Sequence, residues 1–385
     1  MRTVPLGEIC AVNPPTVFEF LPEELCSFVP MEAVDVSGQI IRLNVRPYRE
    51  VASGYTVFAE NDVIIAKITP CMESGKCAVT RRLRSRIGFG STEFHVLRPS
   101  KQVIPEWLYY FWRFPATRQG AEQRMTGSAG QKRVPTSYVE SIPIPLPSSA
   151  EQHRIVGILE QADRLRRIRR FALELSDSFL PAAFLERFAA RFDKGPFLRF
   201  GDLVKITGGG TPSRECPEYF RGHIPWLTSK DMRGDYIWDT EEHITDNGVE
   251  NSCTKLVPAN SILVVVKSKV LMHRLPVALA KVPLCHGQDI KSIQCSKELH
   301  YEFARFVLKH HEFRLLNIAR GANTEGLTLP MLQELPVPKV YFAEQQSFGD
   351  LAERLERLRS VQRESLRQAE HLFQALLHRA FTTGL

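Results

Sequence analysis

The sequence predicts an α+β protein: two similar mixed α/β domains separated by a long antiparallel two-helix coiled-coil spacer. Three observations predict this fold. The chain has 385 residues, more than one hydrophobic core usually serves, so two or more domains are expected. Segments of the first half recur in the second half. Two long stretches also carry apolar residues at steps of three and four, the period of a helix.

The internal repeat has a spacing of about 193 to 199 residues, close to half the chain length. The matched segments are 6–9 with 200–203, 61–65 with 260–264, and 142–152 with 335–345. We interpret the chain as a tandem duplication whose two copies are related by a pseudo-two-fold axis when the long helices pair antiparallel. The predicted boundaries are 1–147 and 194–340 for the mixed domains, and 148–193 and 341–385 for the spacer helices.

Each mixed domain is expected to contain short strands and one aromatic-rich helix. The β-branched runs Val63–Ile68, His95–Leu97 and Ile262–Val266 have strand length. The stretches 105–118 and 300–316 predict one helix per domain. Their aromatic residues are expected in the core, with base stacking as the less favoured alternative: Phe111, Trp112, Phe303 and Phe306.

The spacer helices follow proline-rich segments that hold the chain extended. Ser148, with Glu151 three residues later, predicts a capping box at the first helix. About 30 helical residues span roughly 45 Å. The narrow seams predict that the helices pack on each other, and the alternative is that each packs only on its own unit. The residues predicted to lie at the contacts of the spacer helices with each other or with a partner are Ile155, Ile158, Leu165, Leu351, Leu355 and Leu358.

The charge distribution favours a polyanionic partner. The net charge is +7, but residues 67–133 hold thirteen basic and four acidic side chains, after four and nine in 1–66. Residues 255–330 hold eleven basic and five acidic side chains, whereas residues 194–254 hold seven basic and ten acidic side chains. Two basic stretches at equivalent places favour two electropositive surfaces that bind nucleic acid over two merely solvated faces.

Enzymatic and metal-site interpretations find little support. Asn13–Thr16 resembles the Asn-Pro-Pro-aromatic motif of amino-methyltransferases, but threonine offers no stacking face for a flipped base. Gly208–Pro212 fits neither phosphate-loop pattern and is expected to form a tight turn. Asp62 and Lys67 suggest a nuclease site only weakly, because Ser261 replaces the aspartate in the second copy. We predict no catalytic residue and no metal site.

The eight cysteines contain no Cys-x-x-Cys pair, which predicts free thiols in a reducing compartment rather than zinc ligands or disulfides. The first ten residues lack the pattern of a secretory signal. The longest apolar run, Ile262–Val266, is too short to cross a bilayer. A soluble cytoplasmic protein that does not bind membranes is expected.

Several segments together resemble the specificity subunits of type I restriction–modification systems. The segments 67–76, 88–94 and 126–135 resemble one type of target recognition domain, and 209–213 with 219–231 resembles another. The segment 142–155 resembles the junction into the family's spacer helix. The resemblance covers essentially the whole chain. Because the second copy departs from the first at Val266–Lys269 and Gly287–Ile290, the two domains are expected to read different sequences.

The resemblance implies a non-catalytic subunit that recognises a bipartite, asymmetric double-stranded DNA site. It also implies docking of two methyltransferase subunits and, through them, restriction and motor subunits. S-adenosylmethionine, ATP and magnesium are then expected in those partners, with no cofactor in this chain. The alternatives are an autonomous DNA methyltransferase or nuclease, and a helical scaffold that reads no DNA.

Candidate DNA-binding residues are basic side chains for phosphates, and basic, amide and hydroxyl side chains for base edges. In the first copy they are Lys67, Lys76, Arg81, Arg82, Arg84, Arg86, Ser91, Thr92, Gln131, Lys132 and Arg133. In the second copy they are Lys230, Lys267, Lys269, Gln288, Arg320 and Asn323.

Overall fold

The chain folds into two compact units, each of which combines a mixed α/β part with portions of two long helices. The structure, a computed structural model, describes residues 2–128, 130–321 and 326–385. The units comprise residues 1–172 with 362–385, and residues 173–361. The long helices are α6 (Ser149–Lys194) and α12 (Phe342–Phe381), and both units contain a part of each.

In the first unit, two four-stranded sheets have the orders β2-β9-β6-β7 and β4-β3-β8-β5, and β1 pairs antiparallel with β10. The strands are β1 (Thr3–Pro5), β2 (Cys10–Val12), β3 (Leu25–Val29), β4 (Asn44–Pro47), β5 (Thr56–Ala59), β6 (Val63–Ala66), β7 (Cys77–Val79), β8 (Ile87–Gly90), β9 (Phe94–Pro99) and β10 (Pro143–Pro145). The short helices are α1 (Leu6–Ile9), α2 (Tyr48–Val51), α3 (Pro105–Arg113), α4 (Pro115–Gln123) and α5 (Thr136–Ser141).

In the second unit, a five-stranded sheet has the order β12-β19-β16-β17-β14, a three-stranded sheet has the order β15-β13-β18, and β11 pairs with β20. The strands are β11 (Phe197–Arg199), β12 (Val204–Gly208), β13 (Phe220–Leu227), β14 (Tyr236–Ile237), β15 (Glu242–Ile244), β16 (Ile262–Val265), β17 (Val277–Ala280), β18 (Cys285–His286), β19 (Ile290–Cys295) and β20 (Pro336–Pro338). The short helices are α7 (Phe200–Leu203), α8 (Asp246–Glu250), α9 (Tyr301–His310), α10 (Glu312–Gly321) and α11 (Leu329–Gln333).

The predicted duplication is confirmed by a buried glutamine that makes the same hydrogen bonds in both units. Gln152 accepts from the Ile104 amide at 3.0 Å and donates to the carbonyls of Gln102 and Pro147 at 2.9 and 3.0 Å. In the second unit, the side chain of Gln345 accepts from the amide of residue 300 and donates to the carbonyls of residues 298 and 340. Each glutamine fastens the start of its long helix to the domain before it.

The aromatic helices are buried, as the sequence predicts, but each is interrupted. Phe111 and Trp112 of α3 and Phe303 and Phe306 of α9 lie in the cores of their units. The single helices expected over 105–118 and 300–316 are wrong, because α4 and α10 begin anew after one residue. Between α3 and α4 the cause is Pro115, since the residue before a proline is disfavoured in helical conformation.

The two long helices run antiparallel and contact each other within each unit. In the first unit, Arg170 forms an ion pair with Glu370 at 2.5 Å. In the second, Asp177 pairs with Arg359, and Phe184 and Phe348 pack with ring centroids 5.5 Å apart. The helices have 46 and 40 residues, and α6 continues through an internal proline.

The six predicted contact residues of the spacer helices divide into buried and exposed sets. Ile155 is fully buried, and Ile158, Leu351 and Leu355 are partly buried. Leu165 and Leu358 are exposed, by 39% and 62%, so a continuous buried seam through them is wrong.

Polar side chains take inward positions on α6 instead. Asp163 is fully buried, and the guanidinium of Arg166 lies 4.3 Å from the ring centroid of Phe373. The expected capping box is half formed. Ser148 accepts from the Glu151 amide at 3.3 Å, but the Glu151 carboxylate binds Arg154.

Candidate nucleic-acid interface

Candidate residues of the first unit gather at one edge, where three strands end. Because β3 and β8 are parallel, their carboxyl ends lie side by side. The segment after β6 joins them there. The Lys67 amide donates to the Glu93 carbonyl at 2.9 Å, and the Val134 amide donates to the Lys67 carbonyl at 2.9 Å. This edge, called the first-unit edge, brings together Lys67, Ser91, Thr92, Gln131, Lys132 and Arg133.

An ion pair holds Arg133 in place at the first-unit edge. Its Nε and Nη2 donate to the two carboxylate oxygens of Glu93 at 2.9 and 2.7 Å, and its Nη1 donates to the Gln131 carbonyl at 3.0 Å. The hydrogen bonds from Arg133 lower the pKa of the Glu93 carboxyl below its ordinary value. A bidentate pair fixes the plane of the guanidinium, which is a requirement for selective contact with a base edge.

Lys76 is anchored beside the same edge. Its Nζ donates to the Met31 carbonyl, just after β3, at 3.1 Å. Its own carbonyl accepts from the amide of Ala66, the last residue of β6. Lys132 is exposed, and its carbonyl accepts from the Thr69 amide at 3.0 Å. Both lysines thus have backbone positions set by hydrogen bonds to the strand ends.

The four arginines at 81, 82, 84 and 86 lie at the opposite end of β6. The Arg82 amide donates to the Glu60 side chain at 3.0 Å, and the Glu60 amide donates to the Arg86 carbonyl at 2.7 Å. Arg81 forms an ion pair with Glu106. Four residues of strand span about 13 Å. The basic stretch 67–133 therefore forms two patches, and the single surface expected from its charge is wrong.

The second unit has the equivalent edge, called the second-unit edge, with different side chains. Here β13 and β18 are parallel, and the Gly287 amide donates to the Leu227 carbonyl at 2.9 Å. The amides of Val266 and Lys267 donate to the Asp289 carbonyl, as the Lys67 amide does to Glu93. Gln288 thus lies where the first unit has Thr92, and Val266 lies where it has Lys67, so Lys267 is one residue further along the chain.

The other second-unit candidates flank this edge. Lys230 lies in the turn after β13, which Asp231 closes by accepting from the Thr228 amide at 2.8 Å. Lys269 begins a short 3-10 helix whose cap is the side chain of Ser268. Arg320 belongs to the end of α10, and Asn323 lies outside the described residues.

The triple glycine allows two strand ends to approach closely. A Cβ atom on Gly209 would lie 2.1 Å from the His286 carbonyl oxygen, and one on Gly210 would lie 2.7 Å from the Cys253 carbonyl carbon. The Gly210 carbonyl accepts from the Trp226 indole at 3.1 Å. These glycines serve the packing of β12 against β18, and a phosphate cradle is not needed to explain them.

The Asn-Pro-Pro segment has a structural use that the sequence did not reveal. Asn13 has φ +52°, and its side chain accepts from the Val96 amide at 2.9 Å and contacts His95 Nδ1 at 2.9 Å. His95 Nε2 lies 2.8 Å from the Val134 carbonyl. Because a carbonyl only accepts, Nε2 carries the proton and Nδ1 accepts from Asn13. Burial lowers the pKa of His95, which favours this neutral form.

The carboxylate of Asp62, which the sequence pairs only weakly with Lys67 as a nuclease site, is engaged elsewhere. Asp62 is buried and binds Arg98 through two hydrogen bonds of 2.9 and 2.7 Å, so its carboxylate stabilises the sheet. Among the described residues, no group of three histidine, cysteine or acidic side chains is placed to hold a metal ion. The eight cysteines are free thiols. No described helix is long and apolar enough to cross a membrane.

Comparison with known families gives a consistent result across the chain. A family model described as "Type I restriction modification DNA specificity domain" matches residues 3–173 and again residues 196–370. The two matches coincide with the two copies of the internal repeat.

Individual relatives carry the same description. The chain is 40% identical over 156 residues, 40% of its length, to the type I restriction enzyme EcoEI specificity subunit of Escherichia coli, and this alignment spans 26% of that relative. It is 28% identical over 259 residues to the EcoR124I/EcoR124II specificity subunit of Escherichia coli, covering 65% of the chain and 63% of the relative. The curated relatives are therefore matched over only part of their length.

Solved structures share the fold. The S subunit of a type I restriction–modification system from M. genitalium matches 99% of this chain and 96% of its own with a TM-score of 0.63 at 13% identity. A chain from a structure of type I R-M complex assembly and conformational transition matches 100% and 98% with a TM-score of 0.58 at 22% identity.

Proposed function

Because the chain belongs to the type I restriction modification DNA specificity family, we propose that it recognises a two-part, asymmetric sequence in double-stranded DNA and catalyses no reaction itself. One observation carries this proposal: the two units build the same edge from the same backbone hydrogen bonds and place different side chains on it. Equivalent edges with different side chains are what two unlike half-sites require.

We propose that the first-unit edge and the second-unit edge are the reading surfaces. At the first, Arg133 is oriented for a guanine edge, and Thr92 and Gln131 are exposed hydrogen-bonding groups beside it. At the second, Gln288 is suited to an adenine edge. Lysines at both edges neutralise phosphates and set the salt dependence of binding. Arg81, Arg82, Arg84 and Arg86 are proposed as flanking phosphate contacts.

The experiment measures binding of the chain, assembled with its methyltransferase subunits, to duplex DNA. The DNA carries the sequence that the assembled complex methylates. Arg133→Ala is expected to relax selectivity at one position of one half-site. Lys67→Ala is expected to weaken binding to all sequences and to lower the salt slope by about one. Binding that stays unchanged by both substitutions and by salt would refute DNA recognition at this edge.

We propose that the long helices act as a spacer, with the predicted boundaries 148–193 and 341–385, between recognition domains at 1–147 and 194–340. Within each unit the helices pair antiparallel, which supports this proposal. Lengthening both helices by whole turns is expected to widen the gap between half-sites and to leave both half-site sequences unchanged. A change in the bases recognised at either half-site would contradict the proposal.

We propose that two methyltransferase subunits dock on these helices and bring restriction and motor subunits with them. Each unit exposes apolar side chains on its helix portions: Leu165, Ile168 and Phe171 in the first, and Leu175, Phe179, Leu358 and Val361 in the second. Apolar rows this exposed mark protein interfaces. S-adenosylmethionine, ATP and magnesium are assigned to the partners. Ile168→Glu is expected to weaken assembly, and the exposed Gln161→Glu, on the same helix, is its control.

A further inference from the structure

The sheets that carry β6 and β16 end differently in the two units. In the second unit, β14 continues the sheet beyond β17: the Leu279 amide donates to the Asp235 carbonyl at 2.9 Å, and the Lys281 amide donates to the Ile237 carbonyl at 2.8 Å. In the first unit, β7 is the last strand of its sheet among the described residues. A cavity of about 530 Å³ borders β7 at this place.

The outer edge of β7 presents backbone groups that a further strand would use. The Thr80 amide donates to the Asp62 carbonyl, and the Ala66 amide donates to the Lys76 carbonyl, so residues 80 and 76 face β6. Since backbone groups alternate in direction along an antiparallel pair, the Val79 amide and carbonyl face away from β6. They face toward the cavity, which Val79 lines.

Val79 and Arg81 of the first unit correspond to Leu279 and Lys281 of the second. The correspondence follows from register, because Thr80 bonds to Asp62 as residue 280 bonds to residue 261. Leu279 and Lys281 donate to β14, whereas the amides of Val79 and Arg81 have no backbone acceptor among the described residues. The first unit therefore has the donors for an extra strand and lacks the strand.

A tyrosine side chain occupies the corresponding place in the second unit. Tyr236 of β14 donates its hydroxyl to the carboxylate of Glu302 at 2.8 Å. The Lys281 Nζ lies 5.0 Å from the centroid of the tyrosine ring, and the Arg305 guanidinium lies 5.2 Å from it. The ring is thus held by one carboxylate acceptor and two cations, and its hydroxyl is satisfied inside the unit.

The first unit has counterparts of most side chains that surround the Tyr236 ring. Among its described residues, it lacks a counterpart of the ring itself. Counting along α3 and α9, Glu106 matches Glu302, and Arg81 matches Lys281 at the end of the adjacent strand; both line the cavity. Gly38, which has φ +86° and no side chain, also lines the cavity. Glu106 instead pairs with Arg81 across the opening.

We propose that this cavity, the β7 slot, binds an extended segment of a methyltransferase subunit that adds a strand to β7 and inserts a tyrosine side chain. The inference rests on the proposed function. One wall of the slot comes from α6, through Glu160, Asp163 and Arg164, beside the exposed Leu165 and Ile168 where that partner is proposed to dock.

The chemistry of the slot selects this occupant. Strand addition supplies backbone hydrogen bonds to Val79 and Arg81, and side-chain pockets supply selectivity. Glu106 accepts the tyrosine hydroxyl, as Glu302 does from Tyr236. Arg81, released from Glu106, lies over the ring, as Lys281 does in the second unit. Because β14 already fills the second unit's place, only one of the two docked partners inserts its segment.

The test is amide hydrogen exchange of the full chain, alone and assembled with its methyltransferase subunits, without DNA. The amides of Val79 and Arg81 are expected to exchange at least tenfold more slowly in the assembly. Leu279 and Lys281 serve as internal references, because they are bonded in both states. An assembly that forms and methylates DNA, yet leaves the exchange at Val79 unchanged, overturns this proposal and leaves the proposed function standing. Slowing by duplex DNA alone also overturns it.

Two substitutions test the slot separately. Val79→Pro removes an amide that β6 does not use, so it is expected to leave the thermal midpoint of the isolated chain within about 2 °C and to weaken assembly about tenfold. Leu279→Pro, the matched control, breaks a bond to β14 and is expected to lower the midpoint. Glu106→Gln is expected to weaken assembly less, since an amide oxygen still accepts. Full assembly of Val79→Pro refutes strand addition.

Discussion

The two units of this chain share a framework and differ at the first-unit edge and the second-unit edge. Asn61 and Asn260 stand at the same turn with φ of +71° and +64°, and Gln152 and Gln345 make the same three hydrogen bonds. At the carboxyl ends of the equivalent strands the side chains diverge. Duplication has preserved the residues that satisfy buried backbone groups, and variation is concentrated where backbone geometry is already set by other contacts.

The units also differ in the polar contacts of their aromatic-rich helices, which are α3 in the first unit and α9 in the second. In the second unit, Arg305 of α9 is fully buried between the carboxylates of Glu302 and Asp235. Burial by itself raises the pKa of Asp235, but the cations of Arg305 and Lys309 outweigh it, and the pKa lies below its ordinary value. The first unit has Tyr109 at the Arg305 position, with its hydroxyl 3.3 Å from the Ser37 carbonyl. At this position the second unit has a buried charge network, whereas the first unit has a tyrosine whose ring centroid lies 5.4 Å from the Arg113 guanidinium.

The largest effect is expected from Arg305→Met. Removing the arginine leaves buried carboxylates without their partner, which costs about 3–5 kcal/mol of unfolding free energy. Tyr109→Phe, at the equivalent position, is expected to cost less than about 1.5 kcal/mol, the value of one neutral hydrogen bond. Denaturant unfolding of the two variants measures the difference. Equal losses would show that the charge network is not what distinguishes the units.

The next effect concerns the shared glutamines. Gln152→Met and Gln345→Met each leave buried amide and carbonyl groups unpaired, and each is expected to cost about 1–3 kcal/mol. Similar losses at the two sites are expected because their hydrogen bonds are the same. Calorimetric unfolding provides the measurement, and the exposed Gln161→Met is the control. A loss confined to one unit would break the equivalence.

A smaller effect is expected from Glu93→Gln. The substitution releases the bidentate hold on Arg133 and leaves the net charge of the first-unit edge more positive. Non-specific DNA affinity is expected to rise slightly, while discrimination at one half-site position falls by about 1 kcal/mol or more. Competition binding with single-base variants of both half-sites measures this. Lost discrimination in the other half-site would contradict the assignment.

The smallest effect is the contribution of His95, in the first unit, to the pH dependence of stability. Burial lowers the pKa of His95 in the fold, so its neutral form contributes stability that is complete above the unfolded pKa of about 6.5 and is lost as pH falls below it. Asn13 then loses its acceptor. Lys67 disfavours the protonated form and Glu93 favours it. His95→Gln is expected to reduce the loss of stability between pH 7 and 5, and an unchanged slope would contradict this.

Much of the fold was predictable because its signals are local or repeated. Strands such as β6 and β16 follow from runs of buried β-branched residues, and the duplication follows from matched segments. The sequence alone does not show that α6 continues through Pro181, which it does because Leu180 and Phe184 are buried on either side of the proline. Packing that overrides a local signal is not visible in the sequence.

The candidate edges were predicted only in part. Residues such as Lys67 and Arg133 share a basic stretch and do meet in space. Charge counting alone placed Arg82 and Arg84 with them, although β6 separates the two groups. The ion pair between Glu93 and Arg133 joins residues that are 40 positions apart. The hydrogen bond between Asn13 and His95 joins residues that are 82 positions apart. No pattern along the chain predicts such pairs, because they depend on the order of the strands in the sheet.

The most direct test of the account replaces residues 1–147 by the recognition domain of another family member. The hybrid is expressed with its methyltransferase subunits in cells, and methylated bases are mapped by long-read sequencing. We expect one half-site to change, with the other half-site and the number of intervening base pairs retained. A change in both half-sites, or in neither, would contradict the claim that each unit reads its own half of the DNA sequence.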